Sequence, residues 1–246
     1  KGLENSGSFG KNLTSKLIDG VACNQKISVI IPALNEARNI RTTLASIDHI
    51  SEVESIVVDG GSTDRTAELA RSVNARVVTS PPGRARQLNA GARAARGDVL
   101  LFLHADSQLP KVFHRYVLSL LNQSEVVAGA FRLAVDSDLP GVRLVESVAN
   151  WRSRFLQMPY GDQGIFVKAS IFWQVGGFPD QPIMEDFEFI RRVRKEGRIA
   201  IAPASIITSD RRWRRLGVVR TTLVNQWVIL AFYLGIDPHR LVQWYR

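Results

Sequence analysis

The chain has a single cysteine, Cys23, among 246 residues. A lone thiol excludes an intrachain disulfide and any zinc site built from several cysteines, and it points to a reducing, cytoplasmic setting. Lysine is also scarce, with seven residues against 25 arginines. No stretch reaches the roughly 18 uninterrupted apolar residues of a membrane span. The nearest, 218–236, is broken by Arg220, Asn225 and Gln226. The opening KGLENSGSFGKNLTSKLIDG has no apolar signal-peptide core, and its Gly, Ser and Asn content predicts a flexible tail over residues 1–26. Internal repeats and low-complexity segments are absent.

The apolar content is ample. A hydrophobic fraction of 45%, with five Trp and eleven Phe, excludes a disordered chain. Basic residues outnumber acidic ones by 32 to 23, giving +9. Because the excess is Arg, which recognises phosphate in a bidentate fashion, it leans toward phosphate ligands, nucleic acid or an anionic membrane surface.

Hydrophobic patterning predicts strands at 27–32 (ISVIIP), 56–58, 76–79 and 99–103. They alternate with helices at 36–47, 63–73 and from the SPPGRAR loop to residue 96. Asn35 is expected to cap the first of these helices. Such alternation argues for a mostly parallel sheet with helices on both faces. Helices are then expected at 111–121, 144–156 and 184–196, and extended segments at 126–135 and 199–207, with strand plus loops over 158–182. One fused unit over 27–246 is predicted, with a nucleotide-binding half (27–110), an acceptor half (111–210), and a basic cluster and amphipathic helix (211–246).

Ligands of open α/β sheets bind outside the carboxyl ends of the strands. Polar groups recur at four such ends: Asn35 and Glu36, then Asp59, then Arg84 and Arg86, then His104 and Asp106. Taken singly, each reads equally as a helix cap or a solvated loop charge; the recurrence carries the signal. In DGGSTD, Gly60 and Gly61 allow close backbone approach, Asp59 can accept from a base or ribose, and Asp64 suits a helix cap. If residues 104–106 continue the strand, His104 and Asp106 point to one side, where imidazole and carboxylate suit a divalent ion completed by a diphosphate.

The series IIPALNEARNI, VDGGSTDRT, GRARQLNAGARAARGDVLLFLHADSQLP and MEDFEFIRRVRKEG resembles the family-2 glycosyltransferases of GT-A fold, over about residues 28–207. The resemblance implies a GT-A-like mixed, mostly parallel sheet flanked by helices, with a C-terminal helical extension. It implies transfer of a sugar from a UDP- or GDP-linked donor to an acceptor hydroxyl, with inversion, using Mn²⁺ or Mg²⁺. Pro32, Asn35, Glu36 and Asp59 match the positions that hold base and ribose, and Arg84 or Arg86 a position near the diphosphate. Asp106 matches the last acid of the Asp-x-Asp metal motif, with His104 in place of the first. Asp186 matches the general base; Glu185, one residue away on the helix, is expected to point elsewhere. Gly161-Asp162-Gln163 falls where acceptor-side loops form.

The cluster Arg211-Arg212-Trp213-Arg214-Arg215 before an apolar helix is compatible with a diphosphate clamp, nucleic-acid contact or peripheral attachment at an inner membrane face. The helix itself is compatible with core packing or a homo-oligomer contact. Two other functions compete. A nucleotidyltransferase making a nucleotide sugar would want a Gly-rich basic loop after the first strand, which IPALNEARN lacks. A nucleic-acid-binding module leaves the acids at successive strand ends unexplained.

Overall fold

A computed structural model describes residues 25–47 and 50–245. Cys23 and nearly all of the predicted tail lie outside them. Eight strands form one sheet: β1 (Ile27–Ala33), β2 (Val53–Asp59), β3 (Arg76–Thr79), β4 (Val99–Phe102), β5 (Ser107–Gln108), β6 (Val126–Asp136), β7 (Ile165–Lys168) and β8 (Arg198–Ser209), in the order β3-β2-β1-β4-β7-β6-β8-β5. β3, β2, β1 and β4 are mutually parallel, as are β6 and β8. β7 runs antiparallel to both β4 and β6, and β5 antiparallel to β8.

β1, β4 and the second half of β2 are buried on both faces, so their runs are apolar with little alternation. Val29, Ile31, Val57 and Leu101 enter one core cluster, whereas Ile30, Ile56, Val58, Leu100 and Phe102 enter the other, as the two-residue period of a strand requires. The first face is packed by α1 (Ile40–Ala45), α2 (Thr66–Ser72) and α4 (Phe113–Leu121). The second is packed by α3 (Arg84–Ala94), α6 (Ala169–Gln174), α7 (Glu185–Val193), α9 (Val218–Tyr233) and α10 (Pro238–Tyr245). α5 (Val142–Leu156) lies against β6 over a smaller cluster, and α8 (Arg211–Leu216) links β8 to α9. Among the described residues no helix is long and apolar enough to cross a membrane.

The expected sheet and helix alternation is present, with three local corrections. The helix predicted from residue 36 starts only at Ile40, and Asn35 does not cap it. Asn35 instead sits in the left-handed region at φ 57°, a conformation Asn tolerates better than most side chains. Residues 158–182 contain a helix, α6, as well as the expected strand. The chain also turns at 105–106 and starts the short strand β5, which hydrophobic pattern alone did not reveal.

Candidate active site

β1 and β4 are neighbours although β2 and β3 lie on the other side of β1, so the strand order reverses between them, the place where open sheets bind ligands. Pro32 lies on β1 beyond the last residue paired with β4, where its missing N–H costs no ladder bond on that side. The loops after β1 and β2 are bonded to each other. Asn35 Oδ1 accepts from Thr63 N at 2.8 Å, Asn35 N donates to Ser62 Oγ at 2.9 Å, and Ala37 N donates to Asp64 Oδ2 at 3.1 Å. Gln87 Nε2, from α3, donates to both Ala33 O and Val58 O. Asp59, 5% exposed, accepts from Gly61 N and Ser62 N at 3.2–3.3 Å. Its carboxylate is therefore fixed at the loop between the carboxyl ends of β1 and β2.

His104 and Asp106 meet different hydrogen-bond partners. β4 ends at Phe102, Ser107 N donates to His104 O, and Thr43 Oγ1 holds Ala105 O at 2.8 Å. The resulting turn breaks the two-residue alternation that the extended reading assumed. His104 faces α3, where Arg84 donates to its ring. Burial and the Arg84 charge hold the imidazole well below its usual pKa, so it is a neutral acceptor. Asp106 faces Arg211. That guanidinium bridges Glu36, at 2.8 and 3.1 Å, and Asp106, at 3.1 Å. Burial raises the Asp106 pKa against the pull of Arg211. Glu36 and Asp106 thus jointly hold one positive charge. Of the two arginine candidates, Arg84 turns into the site, whereas Arg86 pairs with Asp180 on the surface at 3.0 Å.

Arg84 and His104 also line a cavity of about 200 Å³, together with Tyr160, Asp162, Glu185 and Asp186, closed by Asn225, Val228, Ile229 and Tyr245. A larger groove of about 730 Å³ runs past Arg41, Val53 and Arg76, but these mark the amino ends of β2 and β3. Asp186 is in the first turn of α7. Its Oδ2 accepts from Gly161 N at 2.6 Å and its Oδ1 from Phe187 N at 2.8 Å. Gly161 opens the 3₁₀ turn Gly161–Gln163. A Cβ there would stand 3.0 Å from Asp186 Oδ2 and 3.3 Å from His104 Nε2, so the approach is fitted to glycine. Gln163 is buried, accepting from Ser153 Oγ and donating to Phe131 O, so it anchors the turn. Burial raises the Asp162 pKa, with Arg152 opposing, and Asp162 Oδ1 has no hydrogen-bond partner among the described residues.

Glu185 departs from expectation. Instead of pointing elsewhere it lines the same cavity as Asp186, 3% exposed, with Oε1 3.4 Å from Arg84 Nε. Burial pushes it up to about 7, with Arg84 opposing and Asp186 reinforcing. Tyr160, stacked under Arg152 at 3.4 Å, and Asn225, whose buried Oδ1 lacks a partner among the described residues, also line the cavity. Neither carried a motif in the sequence. The only signal for Tyr160 was its place beside the Gly-Asp-Gln stretch.

A stability prediction follows. A carboxyl that titrates near 7 when folded and near 4.5 otherwise keeps its proton longer in the folded state. Its stabilising contribution is present below about pH 4.5 and is lost as the pH rises through 7. His104 acts oppositely, since a neutral buried imidazole costs stability as the pH falls below 6.5. Comparison with Glu185→Gln isolates the first effect. Between pH 5 and pH 8 the wild type should lose roughly 2–3 kcal/mol relative to this variant in urea denaturation. A pH-independent difference between the two would show that Glu185 is ionised throughout.

The sequence model of the family described as "Glycosyl transferase family 2" matches residues 28–175. A probable glycosyltransferase, YdaM of Bacillus subtilis, is 30% identical over 238 residues, covering 84% of this chain and 57% of that protein. The chain therefore spans little more than half the length of that relative. Among solved structures, the mannosyltransferase PcManGT from Pyrobaculum calidifontis, in complex with GDP-Man and Mn²⁺, superposes with a TM-score of 0.64 at 20% identity, over 94% of this chain and 74% of that one. S. aureus TarS 1-349 in complex with UDP-GlcNAc gives 0.60 at 19%, over 75% and 58%. These likenesses show the GT-A fold. The family match ends before α7, so it does not reach Asp186.

Proposed function

The chain belongs to glycosyl transferase family 2, and from that membership we propose that it moves a sugar from a nucleoside-diphosphate donor to an acceptor hydroxyl, with inversion and Asp186 as the general base. The observation that carries the reading is the juxtaposition of two groups of residues at the strand ends. One is the set of loops after β1, β2 and β4, which brings Asn35, Glu36, Asp59 and Asp106 to the same end of the sheet. The other is a small cavity in which Asp186 is held by a backbone N–H. A volume of about 200 Å³ is below the roughly 300–1,000 Å³ of drug-sized ligand pockets. The cavity suits the transferred sugar and the acceptor hydroxyl, and the nucleotide is assigned to the loops after β1 and β2. YdaM and the other proteins named above support the class of reaction, and the two structures hold UDP- and GDP-linked sugars.

In this reading Asp59 accepts from the base, Pro32, Asn35 and Glu36 shape the ribose side, and Arg84 meets the developing negative charge from the sugar side. Asp186 accepts the proton as the hydroxyl attacks, one face of the sugar being open to the acceptor and the other to the leaving group. Asp106 and Glu36 would hold a divalent ion; their shared pairing with the Arg211 guanidinium supports this reading. A bound ion supplies neutralisation of the leaving diphosphate. His104 joins that set only on leaving Arg84. Among the described residues no three His, Cys, Asp or Glu side chains form a metal cluster, so donor oxygens complete the coordination.

Calorimetry with UDP and GDP, followed by a hydrolysis screen of nucleotide sugars with Mn²⁺ and Mg²⁺, tests the reading. Asp59→Asn keeps an acceptor for the turn but removes the charge. It should weaken binding of the preferred nucleoside diphosphate by roughly 1.5–3 kcal/mol with the melting temperature little changed. Unchanged affinity rejects the placement of the base at Asp59, and absence of binding to any nucleoside diphosphate rejects the donor class.

A further inference from the structure

α9 is apolar on both sides. Its inner face, with Thr221, Val228 and Ala231, is buried. Its outer face carries Val219, Leu223, Trp227 and Leu230, continued by Leu234, and each is more than half exposed. They recur every three or four residues, which is one stripe of a helix. A helix that is hydrophobic all round is one that is covered all round.

α5 repeats the arrangement. Val142, Glu146, Ala149 and Ser153 face inward. Leu144, Val148, Trp151 and Phe155, 51–69% exposed, occupy the opposite side. The two helices are tied at both ends. Val142 and Ala149 share a cluster with Trp213 and Val218 at the start of α9. At the other end Tyr160, beneath Arg152, meets Phe187, which meets Phe232 and Tyr233 of α9. Exposed apolar surface on this scale marks a contact with a protein or a membrane.

Charge decides between these occupants. Residues 211–245 hold six arginines and one acid, Asp237. Arg211 and Arg214 are paired with carboxylates, and Arg212 stacks on Tyr245. Arg215, Arg220 and Arg240 are exposed and have no carboxylate partner among the described residues. Beside α5, a groove brings Arg132, Arg154 and Arg198 together with Trp151 and Phe155. In a two-fold dimer this patch would meet itself and set like charges together. An anionic surface neutralises them.

We propose that the outer faces of α5 and α9 form a docking face for an anionic lipid bilayer. The apolar stripes enter the boundary between headgroups and acyl chains, and Arg154, Arg215, Arg220 and Arg240 meet the headgroups. With 16 residues, about 24 Å long, α9 lies along the interface. The same helix walls the cavity with Asn225 and Val228, so the docking face and the cavity share one element.

The test is flotation of the full chain with phosphatidylcholine vesicles, with and without phosphatidylglycerol, at low and high salt. Binding should require phosphatidylglycerol and weaken with salt. Leu223→Glu with Trp227→Glu, and separately Trp151→Glu with Phe155→Glu, should each lower binding by at least ~10-fold. Arg215→Gln and Arg220→Gln should each lower it roughly fivefold. All these positions are exposed, so the melting temperature should hold. Donor hydrolysis in solution should also hold, which separates failure of docking from failure of the proposed reaction. No flotation on anionic vesicles at low salt overturns the proposal, as does flotation that the stripe variants leave unchanged. A dimer that the stripe variants dissociate, without vesicle binding, assigns the face to a second copy and overturns it too.

Discussion

Asp186→Asn should lower turnover by about 10²–10⁴-fold, the usual worth of a positioned base, while donor affinity moves far less. A group that takes a proton only in the transition state contributes little to ground-state binding. Asn has nearly the same size and keeps one carbonyl acceptor. Asp186 now accepts two backbone N–H groups, from Gly161 and Phe187, so the variant also loses one of these bonds. That loss should cost about 1 kcal/mol of stability, far too little to explain a drop in turnover of that size. Glu185→Gln is the control, and the structure makes it a stringent one because Glu185 lines the same cavity and faces Arg84. It should weaken the hold on Arg84 and produce the milder kinetic defect. Single-turnover rates with saturating donor, together with calorimetric donor affinity, distinguish the cases. If Asp186→Asn transfers sugar at near wild-type rate, or if Glu185→Gln is the inactive variant, the base is not Asp186. If both variants only lower the melting temperature, the two acids serve the start of α7, and the buried Asp162 becomes the candidate.

Asp106→Ala should reduce metal-dependent donor hydrolysis or transfer by about 10²-fold or more, because a bound ion contributes several kcal/mol at the leaving oxygen. The residue stands just past β4 at the point where strand order reverses, and it shares the Arg211 charge with Glu36. Removing it leaves Glu36 paired with Arg211, so the local fold should survive and melting should confirm that. Activity titrated against Mn²⁺, with chelator as the zero point, is the measurement. An Asp106→Ala enzyme that remains fully active in chelator sinks the metal role, and the Glu36–Arg211–Asp106 bridge is then purely structural.

Much of the fold was legible in the chain. The runs ISVIIP, SIVVD and VLLFL are apolar without alternation, which only a strand covered on both faces tolerates, and each ends in a loop with acids or Asn. Local periodicity and loop chemistry sufficed because both are set by neighbours within a few residues. The motif series also led to the family, which the match over residues 28–175 shows.

What the chain could not reveal were partners far apart in sequence. What His104 and Asp106 meet depends on the turn after β4, where Ala105 O accepts from Thr43 Oγ1, 62 residues away. The choice of Arg84 over Arg86 depends on which face of α3 meets α7, where Glu185 waits. Arg211 reaches Glu36, 175 residues away, because β8 pairs with β5 at Ser107 and Thr208 and sets α8 above the ends of β1 and β4. Each of these pairings is decided by packing between elements, which sequence spacing does not encode: a side chain's direction is local, but what it meets there is supplied by another part of the sheet.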